Sequence, residues 1–276
     1  MFIGLDVSHA PAGTNQASMA ALTVSLDPSA ARYGAACQTN GVRTEMMEPS
    51  TMKALLPRFI QQWVKDHKVA KVAVNRGPEH VYFFRDGVGT GQLQQVLDIE
   101  VKAIRETFQK EVQMVPKITV LIVTKRHHIR FFRQSDTDPS GFDKNENPYP
   151  GFLVERGATH PDFWDFFLNS HNAIQGTARP IHYQVILDEI RHRPDDLQRM
   201  VFHHCYQYCR STQPVSLHPA VFYAHLASKR AVAHLQPATP PNQAGQPPTP
   251  APLMSMRRDL HKYNEASPME KTMWFV

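Results

Sequence analysis

Ile3-Gly4-Leu5-Asp6-Val7-Ser8-His9 is an apolar run with an acid near its end and a histidine three residues further on. It reads as a buried strand that delivers a carboxylate to one edge of a sheet. A charge in such a place is costly unless it is paired, hydrogen-bonded or bound to a metal. For Asp6 alone, the plainer reading is a strand-end residue capping the next turn. The pattern recurs, however, in Val81-Tyr82-Phe83-Phe84-Arg85-Asp86-Gly87, again an apolar strand ending in an acid and followed at once by glycine. Two strand-end carboxylates can share divalent cations if their strands are neighbours, so the fold is read around that condition.

Outward from these two stretches, residues 2–9, 19–27 and 33–38 read as consecutive strands separated by turn signals, a β-meander that opens a mixed sheet. Residues 51–67 carry Met52, Leu55, Leu56, Phe59, Ile60, Trp63 and Val64 at the helical period, with Pro57 expected to kink the helix or mark its true start. Strands are expected near 71–75 and 81–86, a helix over 91–110, and a β-branched strand from Ile118 to Thr124. Strand, helix, strand, helix, strand is an α/β pattern with parallel pairing. Beyond a polar loop from Ser135 to Gly151, strands are expected at 152–157 and 181–187 and helices at 195–211 and 219–234. Residues 236–252 hold seven of the chain's 22 prolines, and no charge occurs from Leu235 to Met256. That composition predicts an extended, disordered insertion. The ordered body is therefore expected over 1–235, with 253–276 packing back on it through the apolar tail Met273-Trp274-Phe275-Val276.

Composition narrows the class. The chain has 276 residues, 42% hydrophobic and 20% charged, enough for a sizeable core. A net charge of +5 suits a polyanionic partner. Three cysteines (Cys37, Cys205 and Cys209) are too few for a disulfide scaffold and point to a reducing, cytoplasmic setting. No apolar run is long enough to span a bilayer, and no membrane role is expected. The abrupt entry into a strand suggests a piece of a longer protein. Nucleotide-binding Gly-rich loops, the nucleophile elbow and the H-E-x-x-H zinc motif are all absent.

Three further stretches carry chemistry. Lys125-Arg126-His127-His128-Ile129-Arg130-Phe131-Phe132-Arg133 interleaves aromatics with four fixed positive charges, and no acid occurs from Val112 to Ser135. A solvated basic edge is the plainer reading; phosphate contacts with packing are the favoured one. Ser170 to Pro180 is a polar, acid-free loop that suits either a surface turn or a backbone-phosphate cradle. Cys205 and Cys209 fall one helical turn apart, but without a second ligand pair the core reading outweighs zinc. On the last expected helix, Arg230 follows His225 by five residues, roughly 140° around at about 100° per residue.

Five motifs then combine. Gly4-Leu5-Asp6-Val7-Ser8-His9, Phe84-Arg85-Asp86-Gly87-Val88, Lys125-Arg126-His127-His128, Ile174-Gln175-Gly176-Thr177 and Tyr223-Ala224-His225-Leu226 together resemble the PIWI domain of eukaryotic Argonaute proteins, the Argonaute branch rather than the Piwi branch. The resemblance runs in order from residue 2 to about 234 and resumes near the C-terminus. It implies an α/β, RNase H-like fold with a mixed central sheet flanked by helices. It also implies a catalytic tetrad of Asp6, Glu45, Asp86 and His225, of which Asp6, Asp86 and His225 hold metal. Two Mg²⁺ (or Mn²⁺) ions would support hydrolysis of target RNA to a 3′-hydroxyl and a 5′-phosphate. Guide-backbone contacts are implied for Lys125, Arg126, Arg130, His171, Gln175, Arg179, Tyr208, Arg210 and Ser216, and a guide 5′-phosphate contact for Arg230. Implied partners are a small guide RNA, a complementary target RNA, the MID, PAZ and N-terminal domains of the same protein, and Trp-containing silencing partners. Leu5, Ile129, Ala178 and Phe222 depart from residues common in the family, and none of them is in the tetrad. The alternative function is a guide-binding and partner-docking module that silences without cutting. Glu45 lies in a short polar stretch bounded by Gly41 and Pro49, and is expected to be a mobile ligand that points away without metal and RNA.

Overall fold

The computed structural model describes residues 1–10, 17–73, 76–133, 141–233 and 272–276; the Pro-rich stretch 236–252 and residues 253–271 lie outside them. Eight strands form one sheet: β1 (Phe2–Ser8), β2 (Met19–Ser25), β3 (Tyr33–Thr39), β4 (His80–Asp86), β5 (Lys117–Thr124), β6 (Phe152–Val154), β7 (Trp164–Asn169) and β8 (Ile181–Asp188). Their spatial order is β3-β2-β1-β4-β5-β8-β7-β6. β1, β4 and β5 run parallel at the centre, while the meander β1-β2-β3 and the trio β5-β8-β7 pair antiparallel. Central strands buried on both faces need apolar residues at nearly every position, which is what Ile3 to Val7 and Ile118 to Val123 supply.

Two cores flank this sheet. On one face, α1 (Pro49–Val69) and α3 (Lys102–Val112) pack Met52, Leu56, Phe59, Ile60, Ile104 and Phe108 against Ile3, Leu5, Phe83 and Ile118. On the other, α4 (Pro194–His204) and α5 (Pro219–Ala233) pack Leu197, Val201, Val221, Tyr223 and Ala224 against Phe84, Leu121 and Tyr183. Phe275 is buried in this second core, edge-on to Tyr223.

Several elements differ from expectation, each for a local reason. Pro57 lies inside α1, and the helix runs through it from Pro49 to Val69. The apolar stripe of α1, buried over five turns, outweighs the missing N–H. No strand forms at 71–73: Lys71 takes a positive φ, and Val72 donates to the His67 carbonyl at 3.0 Å, so these residues close the end of α1. Residues 74–75 lie outside the described residues. The helical run after β4 is broken into a 3₁₀ turn (Thr90–Gln92), a short α2 (Leu93–Gln95) and a π turn (Val96–Val101) before α3. β6 stops at Val154 and β7 enters unannounced, its buried Asp165 paired with His182. α4 ends at His204 rather than continuing to 211, because tight turns through Cys205, Tyr206 and Gln207 carry the chain over the sheet. Cys205 is buried and Cys209 exposed, so the two are not ligands one turn apart on a helix.

Candidate active site

The site follows from strand register. β1 and β4 are parallel neighbours with Leu5 opposite Arg85, so the next residues, Asp6 two positions before the end of β1 and Asp86 at the end of β4, fall side by side on adjacent strands. Side chains alternate along a strand. Leu5 and Arg85 therefore go to the α1/α3 face, and Asp6 and Asp86 to the face covered by α5. There His225 Nδ1 lies 3.3 Å from Asp6 Oδ2, and the Ser228 hydroxyl, fully buried, donates to the same oxygen at 3.1 Å. His225 and Ser228 are three apart on α5 and so share one helical face.

α5 can reach this depth because Gly4 has no side chain. A Cβ at Gly4 would lie 2.2 Å from the Ala220 carbonyl oxygen, which also accepts a hydrogen bond from the Thr23 hydroxyl at 2.6 Å. The first turn of α5 is thus seated directly on β1 and β2.

The electrostatics fit a cation site. Burial and, after it, the charge of Asp6 push the Asp86 carboxyl up to about 6. Carboxylates on adjacent strands, with the partly exposed His225 beside Asp6, form a set of hard oxygen donors whose mutual repulsion a divalent cation would relieve. Among the described residues no three His, Cys, Asp or Glu side chains already close on one point.

Glu45 comes to the same strand ends from the opposite face. Its Oε1 accepts from Arg85 Nη1 at 3.1 Å, its Oε2 is 2.6 Å from His9 Nε2, and Oε1 is the atom a Cβ on Gly87 would meet. The side chain is only 15% exposed, and the loop that carries it is stapled by Asn40, whose amide donates to the Thr44 and Met46 carbonyls. The Glu45 carboxylate is thus docked on the Arg85 guanidinium and the His9 ring rather than loosely held, and among the described residues it does not close with Asp6 and Asp86 into a three-ligand set. Arg85, His9, Ser228 and Glu100 were not read as site residues. The three-residue spacing from His225 is the one sequence signal that marks Ser228, and nothing in the sequence marks Glu100.

The basic residues divide into groups. Lys125 Nζ donates to Ser216 Oγ at 2.9 Å. Burial, followed by Arg179, holds the Lys125 ammonium below its usual range, while Asp86 acts in the opposite direction. Burial, followed by Lys125, lowers the His171 imidazole to about 4. Ser216, Arg179 and His171 thus gather around Lys125, which itself feels the charge of Asp86. Arg126 and Gln175 are exposed on their loops, and Arg130 folds back onto the His127 and Ile129 carbonyls. Tyr208 is buried with Arg210 beside it, and Arg230 lies exposed in the last turn of α5.

A mixed sheet bearing paired carboxylates at the ends of two adjacent parallel strands, with a helix pressing a histidine onto them, defines an RNase H-like fold. Residues 1–236 match the Piwi domain model, and the chain belongs to that family. It is 35% identical to protein argonaute 11 of rice (Oryza sativa subsp. japonica) over 252 residues, 88% of this chain and 28% of the relative. It is also 35% identical to the argonaute of Schizosaccharomyces pombe over 232 residues, 84% of this chain and 26% of the relative. The chain therefore spans little more than a quarter of either relative. Among solved structures, Kluyveromyces polysporus Argonaute with a guide RNA superposes over 100% of this chain and 32% of its own, with a TM-score of 0.81 at 27% identity. Drosophila Piwi covers 83% of this chain and 29% of its own, with a TM-score of 0.65 at 25% identity. No helix among the described residues is long and apolar enough to cross a membrane.

Proposed function

We propose that this chain is the guide-directed endoribonuclease domain of a cytoplasmic RNA-silencing protein, cutting target RNA to leave a 3′-hydroxyl and a 5′-phosphate. The observation that carries the reading is the register of β1 against β4, with Asp6 and Asp86 side by side beneath His225. Asp6, Asp86 and His225 would hold Mg²⁺ or Mn²⁺, and Glu45 would complete the set. When bound, the metal supplies an activated water and stabilises charge on the phosphate and the leaving oxygen.

The chain's own residues supply the rest. Ser228 and His225 orient the Asp6 carboxylate from one side. Lys125, His171, Arg179 and Ser216 bind the RNA backbone, with Arg126, Arg130, Gln175, Tyr208 and Arg210 extending the track and Arg230 reaching a guide 5′-phosphate. Sequence selection falls to pairing between a guide RNA and its target, since these residues address phosphate and ribose rather than base edges. The Kluyveromyces neighbour with its guide RNA supports that partner class. The MID, PAZ and N-terminal domains would lie in the remainder of a longer protein, and Trp-containing partners would dock on the assembled whole.

The competing reading is a module that binds guide and target without cutting. Full-length protein, guide, matched target and Mg²⁺ separate the two. A metal-dependent product supports cleavage; tight target binding with no product over hours supports the module.

A further inference from the structure

The π turn Val96–Val101 turns one acid inward: Glu100 is 0% exposed. π turns re-aim side chains relative to a regular helix and are found mostly where a particular placement is needed. Both Glu100 oxygens accept from Arg85 Nε, at 3.2 and 3.0 Å, and Oε1 also accepts from the Met47 backbone N–H at 2.9 Å. Arg85 is itself 0% exposed. With Nε committed to Glu100, its Nη1 faces Glu45 Oε1 at 3.1 Å and the Asp86 carbonyl, and its Nη2 donates to the Glu45 carbonyl. Glu100 therefore grips the Glu45 loop twice. One grip is direct, at the amide two residues beyond Glu45; the other runs through the guanidinium on which the Glu45 carboxylate rests.

A core ion pair with no role at the site has no need of the contact to Met47, nor of a guanidinium that joins Glu45 to the last carbonyl of β4. We infer that Glu100 is a positioning residue that fixes where Glu45 docks against the ends of β1 and β4. The inference rests on the reading of Glu45 as a member of the cleavage centre. It makes the segment from Thr90 to Val112 the support of a site to which it contributes no ligand.

The test uses the full-length protein with guide bound and compares wild type with Glu100→Gln. Amide hydrogen exchange over residues 45–47 should rise by at least about tenfold, with β1 and β4 amides unchanged. Single-turnover cleavage should fall by about 100-fold with target affinity unchanged, as expected when a reacting group is misplaced by about 1 Å. Should the buried amide prevent folding, the paired apolar replacement Arg85→Met with Glu100→Leu keeps the volume filled and removes both grips; it should show the same local exchange. Unchanged exchange at 45–47 in a folded variant overturns the inference, and so does raised exchange with an undiminished cleavage rate. A wild-type protein that binds guide and target yet never cuts would sink the cleavage reading instead. The exchange contrast would then still decide whether Glu100 holds the loop.

Discussion

Gly4→Ala should separate α5 from the sheet and with it His225 from Asp6. The added methyl would lie 2.2 Å from the Ala220 oxygen, 2.3 Å from its carbonyl carbon and 2.8 Å from Thr23 Oγ1. The first two are backbone atoms and cannot turn aside. Reaching even 3.0 Å requires the helix to rise by about 0.8 Å. That movement overpacks the second core, at about 1–3 kcal/mol, and weakens the Thr23–Ala220 hydrogen bond, worth about 1 kcal/mol. A loss of roughly 2–4 kcal/mol corresponds to a fall in Tm of roughly 5–15 °C for a domain of this size. His225 stands five residues along α5, about 7.5 Å from the point of contact. Its 3.3 Å approach to Asp6 should open with the helix, lowering cleavage further than the stability loss alone. Thermal unfolding and single-turnover cleavage, both measured well below the variant's Tm, read the two effects separately. A Gly4→Ala protein that melts within about 1 °C of wild type would show that α5 is not seated on Gly4 as described.

Other perturbations test other parts. Asp6→Ala or Asp86→Ala should abolish cleavage while guide binding persists, because affinity is spread over many phosphate contacts; either variant cutting at the wild-type rate would remove that residue from the site. Gly87→Ala places a Cβ at φ +82° and 3.1 Å from Glu45 Oε1. The left-handed backbone costs about 1–2 kcal/mol, and the displaced carboxylate should slow cleavage; an unchanged rate would mean that Glu45 need not dock there. Stability should fall in mild acid. Burial holds His204 at about 4 and His218 well below its usual value, with the two rings in contact at 3.0 Å, and His171 is also at about 4. The folded protein keeps these rings neutral while the unfolded chain protonates them near 6.5, so their contribution is complete above that pH and is lost as pH falls toward 4. Asp86, held up to about 6, works in the opposite direction over the lower part of the same range but is one group against three. Urea unfolding should give a stability about 2 kcal/mol or more lower at pH 5 than at pH 7.5, and His204→Leu should flatten that slope; parallel slopes for variant and wild type would refute the assignment.

Much of the sheet was legible because its strands are buried on both faces and carry almost unbroken apolar runs between clear turns. The carboxylate pair was legible for the same reason: an acid stands out at the end of such a run, and parallel neighbours place two of them together. β7 was not, since Trp164 to Asn169 is a short strand held between β8 and β6, and its buried Asp165 breaks the apolar pattern until His182 satisfies it. The end of α4 was hidden because the residues after His204 still resemble a helix, and only tertiary bonds, such as Cys209 N–H to the Tyr223 hydroxyl at 2.9 Å, draw them away. Glu45 carries no local signal and was found only through family resemblance. Its supports were missed because the Arg85–Glu100 pair depends on a π turn that no residue pattern announces, and on the alternation that sends Arg85 to the face opposite Asp86.

The most direct test of the Asp6–Asp86 centre is a metal titration of the full-length guide–target complex with both partners intact and with Asp6→Asn or Asp86→Asn. Mn²⁺ binding is followed by calorimetry, and the ends of any cleaved target are mapped in the same samples. Saturable metal binding that each substitution removes, with wild-type product bearing a 5′-phosphate and a 3′-hydroxyl that appears only as metal is bound, is the expected result. Metal binding that survives both substitutions, or cleavage that proceeds in a chelator, would contradict the placement of the reaction at the paired ends of β1 and β4.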